Sequence, residues 1–117
     1  MTGEREIKKL REDIKINTII KFYTLLLLLE GPKHGYEILK RLEEKLDTSV
    51  GPSQVYPFLR QLRSAGYISV SAMGQREKKV YSLTKEGEEF VRNLLEKSLE
   101  LIRASIKALG PERVCPS

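Results

Sequence analysis

The segment from Thr84 to Gly110-Pro111 constrains the fold more than any other part of this chain. Thr84 can cap a helix, and Glu86, Glu88 and Glu89 place negative charge in the first turns, where the helix dipole favours it. Gly110-Pro111 then stops the helix. Leu95, Leu99, Ile102, Ile106 and Leu109 follow at spacings of four, three, four and three, the a/d rhythm of a coiled-coil seam, with Val91 and Leu94 widening the stripe. A helix of about 25 residues is about 37 Å long at about 1.5 Å per residue. A chain of 117 residues builds one core and cannot cover such a helix along its whole length. A second copy of the same helix is the economical cover. The stripe therefore predicts a homodimer whose seam holds Leu95, Leu99, Ile102, Ile106 and Leu109, supported by an amphipathic helix over residues 4–16 that carries Ile7, Leu10 and Ile14 on one side.

Between these ends the elements follow closely, with no repeat and no linker. Asn17-Thr18 caps a helix through Ile19, Phe22, Leu25, Leu26 and Leu29 that stops at Gly31-Pro32. It is apolar on several sides and should be central. His34-Gly35 opens a third helix with Ile38, Leu39, Leu42 and Leu46 on one face. A polar connection leads to a fourth, over about residues 53–65, with Val55, Phe58, Leu59 and Leu62 inward and Gln54, Arg60, Gln61 and Arg63 outward. Gly66 ends it. Residues 67–71 and 79–83 then alternate as two strands of a hairpin joined through Met73-Gly74-Gln75-Arg76.

Charge is unevenly spread along this plan. Residues 51–81 carry Arg60, Arg63, Arg76, Lys78 and Lys79 against Glu77 alone, which is +4 of the chain's +5. A basic helix followed by a basic hairpin is the electrostatic footprint of a surface that neutralises phosphates. Two helices joined by a turn, the second polar and basic outside, followed by a hairpin with a cationic tip, make a winged helix-turn-helix. The major groove admits one helix, so residues 53–65 can offer side chains to base edges while the wing reaches the neighbouring backbone. The fold class expected is mainly α with a small β-hairpin, a winged helix-turn-helix domain flanked by N- and C-terminal dimerisation helices. Its parts are an N-terminal helix within 1–17, a DNA-binding domain over 18–83, a dimerisation helix over 84–110 and a tail over 111–117.

Four blocks carry a resemblance: Gly31-Pro32-Lys33-His34-Gly35-Tyr36-Glu37-Ile38, Val55-Tyr56-Pro57-Phe58-Leu59-Arg60-Gln61-Leu62, Gly66-Tyr67-Ile68, and Val80-Tyr81-Ser82-Leu83-Thr84-Lys85-Glu86-Gly87. In this order they resemble the PadR family of transcriptional regulators, over roughly residues 19–90, and the single C-terminal helix is similar to the compact branch of that family. The resemblance implies a PadR-like winged helix that binds operator DNA as a homodimer, usually to repress, with dimerisation through helices at the chain ends. It leaves room for a small-molecule effector of unspecified chemistry. With no tryptophan in the chain, the Trp-lined drug pore between subunits of some multidrug-responsive relatives gains no support.

The residues expected at double-stranded DNA are Ser53, Gln54, Tyr56, Arg60 and Arg63 from the recognition helix, Tyr36 from the start of the preceding helix, and Gln75, Arg76, Lys78 and Lys79 from the wing. Ser53 and Gln54 lie nearest the helix N-terminus and so nearest base edges. For Tyr56 two readings stand level, a ring that supports the core and a hydroxyl that donates to a phosphate; for Tyr36 packing competes with a phosphate contact. His34, the only histidine, precedes Gly35 at a helix start and reads as a local structural residue.

The sequence also excludes classes of function. It holds no Gly-rich phosphate loop, no Cys/His pairing, no metal-ligand spacing and no Ser/His/Asp set, so neither an enzyme nor a bound metal or cofactor is expected. Cys115 is the one cysteine, which rules out an internal disulfide. The longest apolar run, residues 25–29, is far short of the roughly 20 residues needed to span a membrane, and the N-terminus shows no signal-peptide pattern. A cytoplasmic protein without membrane association is the expectation. The competing function is a winged-helix protein–protein interaction module, which would have no need of the +4 concentrated in residues 51–81.

Overall fold

A computed structural model describes residues 14–73 and 78–110. Helix α1 (Ile19–Glu30) is followed by strand β1 (Lys33–His34), helix α2 (Gly35–Leu46), helix α3 (Pro52–Ser64), strands β2 (Ile68–Met73) and β3 (Lys78–Leu83), and helix α4 (Lys85–Leu109). The protein is mainly helical with one small antiparallel sheet, in the order β1-β3-β2. None of the described helices is long and apolar enough to cross a membrane.

Helix α1 lies at the centre. Leu25, Leu27 and Leu28 are almost fully buried, and Thr24 joins them because its hydroxyl donates to the Ile20 carbonyl at 2.7 Å, which removes the cost of burying it. Thr18 caps the helix by accepting from the Lys21 N–H at 3.2 Å. Ile38 and Leu42 of α2, Val55, Phe58, Leu59 and Leu62 of α3, and Ile68 and Tyr81 of the sheet close around it. In α2 and α3 these are the inward positions that the 3.6-residue periodicity singles out, whereas burial in the hairpin does not alternate, since Tyr67 beside Ile68 and Val80 beside Tyr81 are buried too.

The hairpin pairs Ile68 with Leu83 through to Met73 with Lys78. The sheet has a third strand that the sequence does not signal. In β1, Lys33 pairs with Tyr81 and His34 with Val80, so the turn between α1 and α2 is stitched to the wing. Lys33 is buried in this position and its ammonium meets Glu30 at 3.4 Å.

The N-terminal end also differs from expectation. The helix expected over residues 4–16 falls mostly outside the described residues, but its last three, Ile14, Lys15 and Ile16, are irregular chain. The capping conformation of Thr18 is extended, with φ −137° and ψ 155°, and the chain enters it from an irregular segment. Ile14 is buried in this chain's own core, so it is already covered without a partner. Ile7 and Leu10 lie outside the described residues.

Helix α4 runs over the length expected, and Thr84 is its N-cap, accepting from the Gly87 N–H at 3.1 Å. Its first half joins the core: Val91 is fully buried, and Leu94 and Leu95 pack against the cluster. Beyond that point the core ends. Leu99 is 45% exposed, Ile102 53% and Leu109 54%, while Ile106 is half-buried. Leu101, off the seam, is exposed as well.

Candidate nucleic-acid interface

Helix α3 begins at Pro52, in the first turn, where a missing N–H costs nothing. Its inward face is spent on the core, so its outward face is fixed. Ser53, Gln54, Arg60 and Arg63 are all exposed on that face, and Tyr56 is half-buried beside them. Gln54 also closes the first turn, because its side-chain oxygen accepts the Gly51 N–H at 3.0 Å. The carboxamide NH2 remains as a donor. Pro57 sits inside the helix on the exposed side, where the acceptor it leaves open can reach water.

Tyr56, Arg60 and Arg63 are spaced so that they line one side of α3, and that side turns toward β3. The electrostatics of Tyr81 record this proximity. Burial raises its phenol pKa above 10.0, the Tyr56 phenol nearby adds to the rise, and the Arg63 and Arg60 guanidinium groups oppose it. Tyr56 of α3 also walls one cavity with Lys78, Lys79 and Tyr81 of β3, so α3 and the wing meet there.

The wing contributes Lys78 and Lys79, both exposed on β3. The Lys78 ammonium lies 5.5 Å from the centre of the Tyr36 ring, a cation–π distance, and the Tyr36 ring stacks on His34 at 5.4 Å and 11°. Tyr36 is thus an exposed residue held by the wing base on one side and β1 on the other. Gln75 and Arg76 lie outside the described residues.

Between the head of α2, Tyr56 of α3 and the base of the wing lies a cavity of about 260 Å³, walled by His34, Gly35 and Tyr36, by Tyr56, and by Lys78, Lys79 and Tyr81. Gly35 makes this arrangement feasible. It is buried against Tyr56, and a Cβ there would come within 2.8 Å of a ring carbon and closer still to the hydroxyl. Tyr56 can lie across the start of α2 only because residue 35 has no side chain. From sequence, His34 has a local structural role at the helix start and Gly35 has none assigned; the Gly-Tyr pairing is a contact between helices and has no local signal. Among the described residues no group of His, Cys, Asp and Glu could hold a metal ion.

The residues expected at DNA, apart from Gln75 and Arg76, fall in one region. Ser53, Gln54, Arg60 and Arg63 form the exposed helix face, and Tyr36, Tyr56, Lys78 and Lys79 surround the cavity beside it. The expected seam residues divide instead. Ile14 and Leu95 serve this chain's own core, while Leu99, Ile102 and Leu109 remain uncovered.

Comparison with known proteins agrees with this architecture. Among solved structures, a transcriptional regulator from Clostridium thermocellum is 27% identical, with a TM-score of 0.67 over 81% of this chain and 96% of that one. RosR of H. salinarum is also 27% identical, with a TM-score of 0.67 over 83% and 93% of the two chains. A PadR-like transcription factor from Bacteroides fragilis shares the fold at 24% identity, with a TM-score of 0.65 over 79% and 90%. No curated protein matches the sequence significantly. The family model described as the transcriptional regulator PadR-like family matches residues 24–93, more than half of the chain, from the middle of α1 into the first half of α4, and the chain belongs to that family.

Proposed function

We propose that this protein is a sequence-specific, double-stranded-DNA-binding transcriptional repressor that works in the cytoplasm as a homodimer. One observation carries the reading. Arg60 and Arg63 are exposed on the outward face of α3, Tyr56 of the same helix shares one cavity wall with the exposed Lys78 and Lys79 of the wing, and all of them lie in the segment holding +4 of the chain's net charge. Helix α3 enters the major groove, with Ser53 and the free NH2 of Gln54 nearest the base edges and the arginines along its length. The wing follows the backbone. The uncovered Leu99, Ile102 and Leu109 of α4 pair with the same residues of a second copy. Two recognition helices then address half-sites about 34 Å apart, one turn of DNA, and occupancy near a promoter blocks transcription.

The test is a salt series of affinity for DNA upstream of the protein's own gene against a random duplex of equal length. Preference for the native duplex, with affinity falling steeply as salt rises, is the expected result. Arg60→Ala and Arg63→Ala should each weaken the native duplex by about 1–3 kcal/mol if they reach bases. Unchanged affinity in both single variants and in the double variant would remove α3 from the interface, and no duplex binding at low salt would leave a protein-interaction module instead.

A further inference from the structure

The cavity at the head of α2 has a composition that fits one guest. Lys78, Lys79, Tyr56 and Tyr81 line it, the Lys78 ammonium stands over the Tyr36 ring in the same wall, and no carboxylate is among the lining residues. The nearest acid on α2, Glu37, accepts the His34 N–H at 3.0 Å. The first-turn N–H groups of α2 lack intrahelical acceptors, and the Tyr56 ring lies against Gly35 at that helix start. In the same wall, the buried His34 Nδ1 faces the Glu37 N–H as one half of a capping box, short of a hydrogen bond of good geometry. The volume of about 260 Å³ is many times the roughly 30 Å³ share of a water.

We infer that this cavity seats one backbone phosphate of bound DNA, gripped by Lys78, Lys79 and the Tyr56 hydroxyl over the head of α2. The inference rests on the DNA-binding reading above and adds a particular place to it. The Lys78 ammonium leaves the Tyr36 ring for the phosphate, exchanging a cation–π contact for a charge-assisted hydrogen bond. Tyr56 acts from the recognition helix itself, so the seat fixes how deeply α3 enters the groove without reading any base. Gly35 is the positioning residue, because it lets the Tyr56 ring lie over the helix start.

The chain has a single histidine, so the imidazole signals in an NMR spectrum report this cavity without further assignment. A duplex that binds should shift them. Lys78→Gln should weaken native and random duplexes by the same factor and lower the slope of log affinity against log salt by about 0.9, the share of one phosphate. Tyr56→Phe should likewise weaken both duplexes equally, and Gly35→Ala, by displacing the Tyr56 ring, should mimic it. If Gly35→Ala does not fold, the Lys78 and Tyr56 variants decide, since Lys78 is exposed and Tyr56→Phe keeps the ring. Binding of a duplex with stationary His34 signals, or with an unchanged salt slope in Lys78→Gln, overturns the seat and leaves DNA binding intact. If no duplex binds at any salt, the DNA reading and the DNA phosphate fall together. A titration with inorganic phosphate then separates the two, because a saturable His34 shift keeps the cavity as a site for the free anion and a flat response removes it.

Discussion

The hydroxyl of Thr84 donates a 2.6 Å hydrogen bond to the carbonyl oxygen of Gly66, tying the first residue before α4 to the turn that ends α3. The contact is part of a lock. The Thr84 N–H donates to the Tyr67 carbonyl at 3.0 Å, the Thr84 hydroxyl oxygen accepts from the Gly87 N–H at 3.1 Å, and the Tyr67 ring stacks on Phe90 with centroids 4.4 Å apart. Gly87 is packed so closely on the Tyr67 backbone that a Cβ would run into its carbonyl oxygen. The helix proposed to dimerise and the helix proposed to read DNA are therefore joined end to end through rigid contacts.

Thr84→Val tests that joint. The substitution keeps the shape of the side chain but removes both the N-cap acceptor and the donor to Gly66. Loss of an N-cap costs about 0.5–2 kcal/mol, and a carbonyl deprived of its donor adds about 1 kcal/mol. Urea denaturation should show a fall of about 1–3 kcal/mol at unchanged m-value. Gly87→Ala should be worse, because the obstruction is backbone and cannot rotate away. A Gly87→Ala protein as stable as the parent would show that α4 does not sit against Tyr67 as described.

The exposed end of α4 gives a second prediction. Leu99 and Ile102 are about half exposed on a helix that stays regular to Leu109, and each leucine buried against a second copy gains roughly 1.5–3 kcal/mol. Leu99→Asp and Ile106→Asp place a charge in that seam and should each convert a dimer to monomers, read by light scattering. Because Leu99 lies outside this chain's own core, the Leu99 variant should keep its fold by circular dichroism. An intact dimer in both variants would move the interface elsewhere.

How far the sequence could be read follows from the range of the interactions involved. The helices, their Thr18 and Thr84 caps and the stop at Gly66 were legible because caps, dipoles and 3.6-residue stripes act within one or two turns. Strand β1 was not. Two residues are too few for any alternation, and Lys33 and His34 become a strand only because Tyr81 and Val80, far along the chain, pair with them. Ile14 shows the same limit from the other side. Its spacing with Ile7 and Leu10 fits a helix stripe, but the core beside α1 takes it up. At the site, the exposed cations of α3 and β3 could be named from charge alone, whereas the cavity could not, since it exists only where α2, α3 and β3 meet.

The last prediction concerns pH and comes from that meeting point. Tyr81 is buried between α3 and the wing, and burial first, then the Tyr56 phenol, raises its pKa above 10.0, with Arg63 and Arg60 pulling the other way. A folded-state pKa above the unfolded value means that the native protein holds this proton longer. The contribution to stability is whole below pH about 10 and is lost as pH rises through the folded-state value, because the unfolded chain ionises first. The loss from one such group cannot exceed about 1.4 kcal/mol per pH unit. Other tyrosines also ionise in that range, so the measurement is a difference. Unfolding free energies of the parent and of Tyr81→Phe, determined by urea from about pH 8 to about pH 11, should keep a constant difference up to about pH 10, and above it the parent should fall relative to the variant, which has no such proton to lose. Parallel curves throughout would mean that the Tyr81 hydroxyl ionises as readily in the folded protein as in the unfolded chain, and that α3 and the wing do not close over it.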